Sequence, residues 1–161
     1  MIRPNSDFAS GASDGRILLV DDNAPARNAL TRILKREGYE VIAVADGRSA
    51  IDALTHGPAP AVVLTDMMLP DLDGRELGRR AAQLVPRPLV ILLTGWSHEI
   101  EGEDLISWGI DLMFLKPVDL KGLLSTLRES FDKTKGLPRG GFRDPDQTPV
   151  TSASPRSSHP M

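Results

Sequence analysis

Two hydrophobic periods alternate along this chain. Ile17-Leu18-Leu19-Val20, Ala61-Val62-Val63-Leu64 and Leu89-Val90-Ile91-Leu92-Leu93 are nearly continuous apolar runs. Runs of this kind suit parallel strands covered on both faces. With two further segments they predict strands over 16–20, 40–45, 61–65, 88–93 and 111–115. Between them the apolar positions return every three or four residues, the helical spacing. Ala26, Leu30, Ile33 and Leu34 form one stripe, with Asn23 as cap, Pro25 in the opening turn and Gly38 as terminator. Asp46 caps a second helix bearing Ile51 and Leu54, and Leu77, Ala81 and Leu84 mark a third. A fourth, over about 98–108, has a ragged apolar pattern and includes Gly102. Asp119 opens a fifth, whose Leu120, Leu123, Leu124, Leu127 and Phe131 keep helical spacing closely.

Strands alternating with helices across short connections predict an α/β fold. Parallel neighbours require right-handed helical crossovers, so the sheet is doubly wound. The order 2-1-3-4-5 puts strands one and three side by side at the switch point, where open α/β sheets hold their ligands. Residues 1–15 read as a flexible arm and 16–133 as the folded domain. Residues 134–161, rich in Pro, Ser and Gly, carry too few apolar groups to offset ordering entropy and read as a disordered tail.

Composition narrows the function classes. The 161 residues hold no cysteine, which excludes disulfides, thiolate metal sites and a cysteine nucleophile. Net charge is −3 and no basic stripe stands out, so nucleic acid is not an expected partner. The residues after Lys133 hold no helix-turn-helix pattern. No apolar run approaches a membrane span, and Met1–Gly15 lacks a signal-like apolar stretch. A cytoplasmic protein is expected.

The chemistry gathers after the apolar runs. Asp21 and Asp22 follow the first, Asp66 the third, Thr94 closes the fourth, and Lys116 follows the fifth. An adjacent acid pair alone is most simply a helix cap, Asp66 alone a loop acid, and Lys116 alone a solvated charge. Placed together at one sheet edge, they make a cation site with a phosphoryl acceptor. Mg²⁺ takes oxygen ligands from a few carboxylates, water and phosphate. Asp22 and Asp66 supply direct oxygens, Asp21 acts through water, and the backbone carbonyl of Met68 lies within reach. Asp66 would attack the phosphoryl donor, while Thr94 and Lys116 engage the transferring oxygens. Lys116 precedes Pro117, and such a bond in a tight turn can be cis.

Over Arg16–Lys133 the chain resembles the receiver domain of two-component response regulators. The matching motifs are Val20-Asp21-Asp22-Asn23, the stretch from Asp66 to Gly74, Thr94-Gly95, and Gly109-Ile110-Asp111 leading to Lys116-Pro117. The resemblance implies a flavodoxin-like five-stranded fold with five helices and Mg²⁺-dependent phosphoryl transfer to Asp66. The donor would be a phosphohistidine on a histidine kinase or phosphotransfer protein. It also implies a rearrangement on the face of the fourth helix, fifth strand and fifth helix, which would bind a downstream partner or support a homodimer.

Some positions depart from that pattern. Met113 stands where the family usually has a Tyr or Phe that follows Thr94, and Phe114 should point to the opposite face. Met68 and Trp96 stand where polar groups are frequent beside the phosphoryl site. Trp108 suits core or interface packing, Tyr39 packing after the first helix, and Arg79-Arg80 a solvated surface. His56, His98 and His159 lie in no kinase-type phosphorylation helix. The expected role is a signalling module, not an enzyme, in stand-alone form. Competing readings are a small Mg²⁺-dependent phosphohydrolase, an unphosphorylated scaffold and a receiver piece of a hybrid kinase.

Overall fold

The computed structural model describes residues 15–95, 102–132 and 141–143. Five strands run β1 (Arg16–Val20), β2 (Glu40–Val44), β3 (Val62–Asp66), β4 (Leu89–Thr94) and β5 (Leu112–Leu115). Five helices alternate with them: α1 (Ala24–Arg36), α2 (Gly47–His56), α3 (Gly74–Ala82), α4 (Gly102–Ser107) and α5 (Leu120–Asp132). All pairings are parallel, and the five strands stand in the order 2-1-3-4-5, as the flavodoxin-like reading requires. A sixth strand, β6 (Gly141–Arg143), extends the sheet beside β5. Sequence reading places no strand there, because three residues among Gly and Pro carry no period of their own; the open edge of β5 supplies the partner. The remainder of the tail and the first 14 residues lie outside the described residues.

Strand alternation sorts the apolar side chains onto two faces. Leu18, Val20, Val63, Val90, Leu92 and Met113 pack with Leu54, Leu77, Ala81 and Leu105, the side of α2, α3 and α4. Ile17, Leu19, Leu64, Ile91, Leu93 and Phe114 pack with Leu34, Leu123 and Leu127, the side of α1 and α5. Met113 and Phe114 therefore face opposite ways, as expected. Both are buried.

The helix ends follow the predicted chemistry. Asn23 Oδ1 accepts the Ala26 amide at 2.9 Å, and Asp46 Oδ1 accepts that of Ser49 at 2.7 Å. Of the α1 stripe, Leu34 is buried and Leu30 and Ile33 are partly covered. Ala26 is exposed, as are Ala24 and Pro25 beside it in the first turn of α1. Tyr39 stacks on Phe131 with ring centroids 5.1 Å apart, tying the end of α1 to α5. Helix α4 covers only Gly102–Ser107, and 98–101 lie outside the described residues. Its end is a Schellman turn: Ile110 N–H donates to Leu105 O at 2.9 Å and Gly109 N–H to Ile106 O at 3.0 Å. Gly109 sits at φ +73°, which a side chain rarely adopts.

Candidate functional site

Each strand of the switch region ends in a polar group because the apolar run stops at the sheet's carboxyl edge. Asp21 follows β1, and its amide donates to Val44 O at 3.1 Å, continuing the sheet hydrogen bonding by one residue. Its side chain is turned inward and buried, and Oδ1 accepts the Asn23 amide at 2.9 Å. Arg27 of α1 donates to the Asp21 carbonyl at 2.8 Å. Asp22 is exposed, on the solvent side of the same edge. Asp66 is the last residue of β3 and Thr94 the last of β4; both are buried.

The structure brings Asp21, Asp22 and Asp66 together, with one carboxylate oxygen from each lying within 4.8 Å of the others. Lys116 completes the group from the end of β5. Its amide donates to Thr94 O at 2.8 Å, and its ammonium pairs with Asp66 Oδ1 at 2.5 Å. The Lys116–Pro117 bond is cis. Thr94 and Met113 share a sheet face, since Met113 pairs with Leu92, two residues before Thr94.

Electrostatics mark the cluster as strained for anions and fit for a cation. Burial raises the Asp66 carboxyl from 3.8 to about 6; Lys116 pulls it down and neighbouring Asp21 pushes it up. Three hard oxygen donors at one edge, two of them buried, match what Mg²⁺ prefers. Met68, two residues past Asp66, lies in the β3–α3 loop, opposite Asp73 in an isolated antiparallel bridge. Its side chain is 73 % exposed, so it covers nothing in this conformation. Trp96 and His98 lie outside the described residues.

Other singled-out residues fall away from the cluster. His56 is exposed and paired with Asp52 at 3.0 Å on the same helix. Arg79 and Arg80 lie on the exposed face of α3. Trp108 lies under the Arg75 guanidinium, 5.1 Å from its ring centroid, and Arg75 in turn pairs with Asp73. Sequence reasoning missed Asp71, whose two oxygens accept the Gly47 and Arg48 amides at 2.8 Å each. Pro70-Asp71 reads only as a turn, and its partners lie far upstream. Asp111, which sequence reading placed in the Gly109-Ile110-Asp111 motif without a role, is buried and accepts from Val90 N and Arg87 Nη1 at 2.8 Å each.

Comparison with known proteins agrees with this geometry. The response regulator receiver domain family matches residues 17–128. A CheY-like receiver domain protein from Methanospirillum hungatei is 31 % identical, with TM-score 0.68, across 73 % of this chain and 94 % of that one. The Thermotoga maritima response regulator TrrA, solved with Mg²⁺ and BeF, is 30 % identical with TM-score 0.63, across 71 % of this chain and 96 % of that one. The receiver domain of Ssk1, solved with the phosphotransfer protein Ypd1 of Saccharomyces cerevisiae, shares the fold at 19 % identity. Its TM-score is 0.64, over 71 % of this chain and 86 % of that one. No helix among the described residues is long and apolar enough to cross a membrane. A sheet in receiver order, acids after β1 and β3, a threonine after β4 and a lysine after β5 agree with the family match: this chain belongs to the response regulator receiver domains.

Proposed function

We propose that this domain accepts a phosphoryl group on Asp66 from a phosphohistidine and thereby changes what it binds. The observation that carries the reading is the three-carboxylate cluster with Lys116 on Asp66. Receiver domains act with histidine kinases or histidine phosphotransfer proteins, and the donor here belongs to that class. Asp66 attacks in its ionised form; an Oδ–P bond forms as the P–N bond breaks, and the imidazole leaves with the electron pair and takes up a proton. With its carboxyl titrating near 6, Asp66 is mainly ionised at neutral pH.

Asp22, Asp66 and the Met68 carbonyl would hold Mg²⁺ directly and Asp21 through water. When bound, the ion would neutralise charge on the transferring oxygens. Lys116 moves from the Asp66 carboxylate to the phosphoryl oxygens, and the Thr94 hydroxyl donates to another of them. Buried Met113, on the same sheet face as Thr94, adapts to that movement as a flexible thioether, without the two-position behaviour of an aromatic ring. Output leaves by the face of α4, β5 and α5, where Ile106 and Leu120 are exposed, either to a protein partner or to a second copy of the chain.

Intact mass after incubation with acetyl phosphate and Mg²⁺ tests the reading. The wild type gains one phosphoryl group, while Asp66→Asn and wild type in excess chelator gain none. Lys116→Ala is labelled but transmits no change to the output face. Equal labelling of Asp66→Asn would overturn the assignment.

A further inference from the structure

We infer that Asp71 is a positioning residue that latches the β3–α3 loop to the start of α2 and so holds Met68 in register beside Asp66. The inference rests on the metal-binding reading above and adds a residue that supplies no ligand itself.

Helix starts leave several amides without intrahelical partners. In α2 the native cap is incomplete: Asp46 Oδ1 takes the Ser49 amide at 2.7 Å and leaves Gly47 and Arg48 to others. Asp71, 24 and 23 residues downstream, accepts one with each oxygen, both at 2.8 Å. The Gly47 amide, with that of Arg48, holds the Asp71 carboxyl below its usual value, the mark of a carboxylate used in its charged form. The contact is reinforced next door. A Cβ on Gly47 would lie 2.2 Å from Leu72 Cγ, so the Leu72 side chain of the loop fills the space that the glycine leaves at the start of α2.

The loop is thus anchored at two points. At its base, Gly74 N–H donates to Met67 O at 2.7 Å, and Asp73 Oδ1 accepts the Arg75 amide at 2.7 Å to start α3. At its tip, Asp71 holds α2. Met68 lies between Asp66 and this tip, in the bridge with Asp73. A loop tied only at its base keeps conformational freedom that must be lost when a cation is coordinated. The Asp71 latch removes part of that freedom beforehand.

The test combines amide hydrogen exchange in metal-free protein with Mg²⁺ titration followed by NMR, on wild type, Asp71→Ala, Asp71→Asn and Leu54→Ala. Leu54→Ala is the control, destabilising the buried side of α2 without removing either hydrogen bond to Asp71. Asp71→Ala should lose protection at Gly47 and Arg48 and bind Mg²⁺ roughly tenfold more weakly, the lower end for groups that orient metal ligands. Asp71→Asn keeps one acceptor and should fall between. Leu54→Ala should keep the wild-type affinity when measured below its unfolding transition. Unchanged Mg²⁺ affinity in Asp71→Ala, or an equal loss in Leu54→Ala, overturns the positioning role. Absence of saturable Mg²⁺ binding in the wild type instead overturns the metal reading, and the positioning role with it.

Discussion

Replacing Asp66 by Asn should stabilise the metal-free protein at neutral pH, and the size of the effect can be worked out. In the folded state the carboxyl titrates at about 6 against 3.8 when unperturbed, chiefly because it is buried. A carboxyl raised in the fold favours folding fully below 3.8, and that contribution is lost as pH rises through about 6. The ionised group therefore costs about 3 kcal/mol at pH 7.5. Asn cannot ionise and avoids that cost; the attraction of Lys116 for the carboxylate is already counted in it, since it holds the carboxyl down against burial. The net expectation is a gain of about 3 kcal/mol at pH 7.5 that shrinks to well under about 1 kcal/mol by pH 4. Urea unfolding in EDTA at both pH values measures it, read as a change in midpoint at constant slope. Added Mg²⁺ should narrow the gap from the other side, because binding stabilises only the wild type, by about 1.4 kcal/mol at ten times Kd. A gap that is equal at pH 4 and 7.5, or a less stable Asn variant at pH 7.5, would refute the reasoning.

Three further expectations follow from the packing. Arg87→Ala removes the guanidinium paired with buried Asp111 at 2.8 Å and should cost about 3 kcal/mol in urea unfolding, as for other broken buried pairs; Arg87→Lys should restore only part of it. Gly78→Ala places a Cβ 2.6 Å from the Trp108 carbonyl oxygen and should lower stability by about 1–3 kcal/mol in the same assay, with no loss of Asp66 labelling. A chain ended at Lys133 loses β6 but keeps both core clusters, which among the described residues reach no further than Phe131. It should unfold within about 1 kcal/mol of the full chain and label at the same rate; a larger loss would make β6 part of the cooperative unit.

The sheet was legible because its signal is local. Runs such as Leu89–Leu93 have no polar residue to spare for a solvent face, and the first polar group after each run must lie at the edge. Asp21, Asp66, Thr94 and Lys116 could thus be placed together before any coordinates. What resisted reading depends on distant partners. Asp71 has the local chemistry of a turn, and only the fold brings the start of α2 to it. Strand β6 takes its identity from the edge of β5. Ala26 fits a helical stripe by spacing, yet it is exposed in the first turn of α1, and spacing alone does not say how far along a helix the covering layer reaches. Helix α4 was weak in sequence because its apolar positions are few and irregularly spaced and Gly102 interrupts them.

The Schellman turn after α4 has a mechanical consequence. Gly109 abuts the Gly78 carbonyl, Gly78 abuts that of Trp108, and Arg87 Nη2 donates to the Gly109 carbonyl at 3.1 Å. Arg75 clamps the Trp108 ring from the α3 side. Backbone resting on backbone cannot slide without overlap, so the carboxyl end of α4 is a fixed pivot. Any shift of α4 would therefore be smallest at Trp108 and Gly109, where backbone meets backbone, and would take the form of a rotation about that end and not a slide along the sheet.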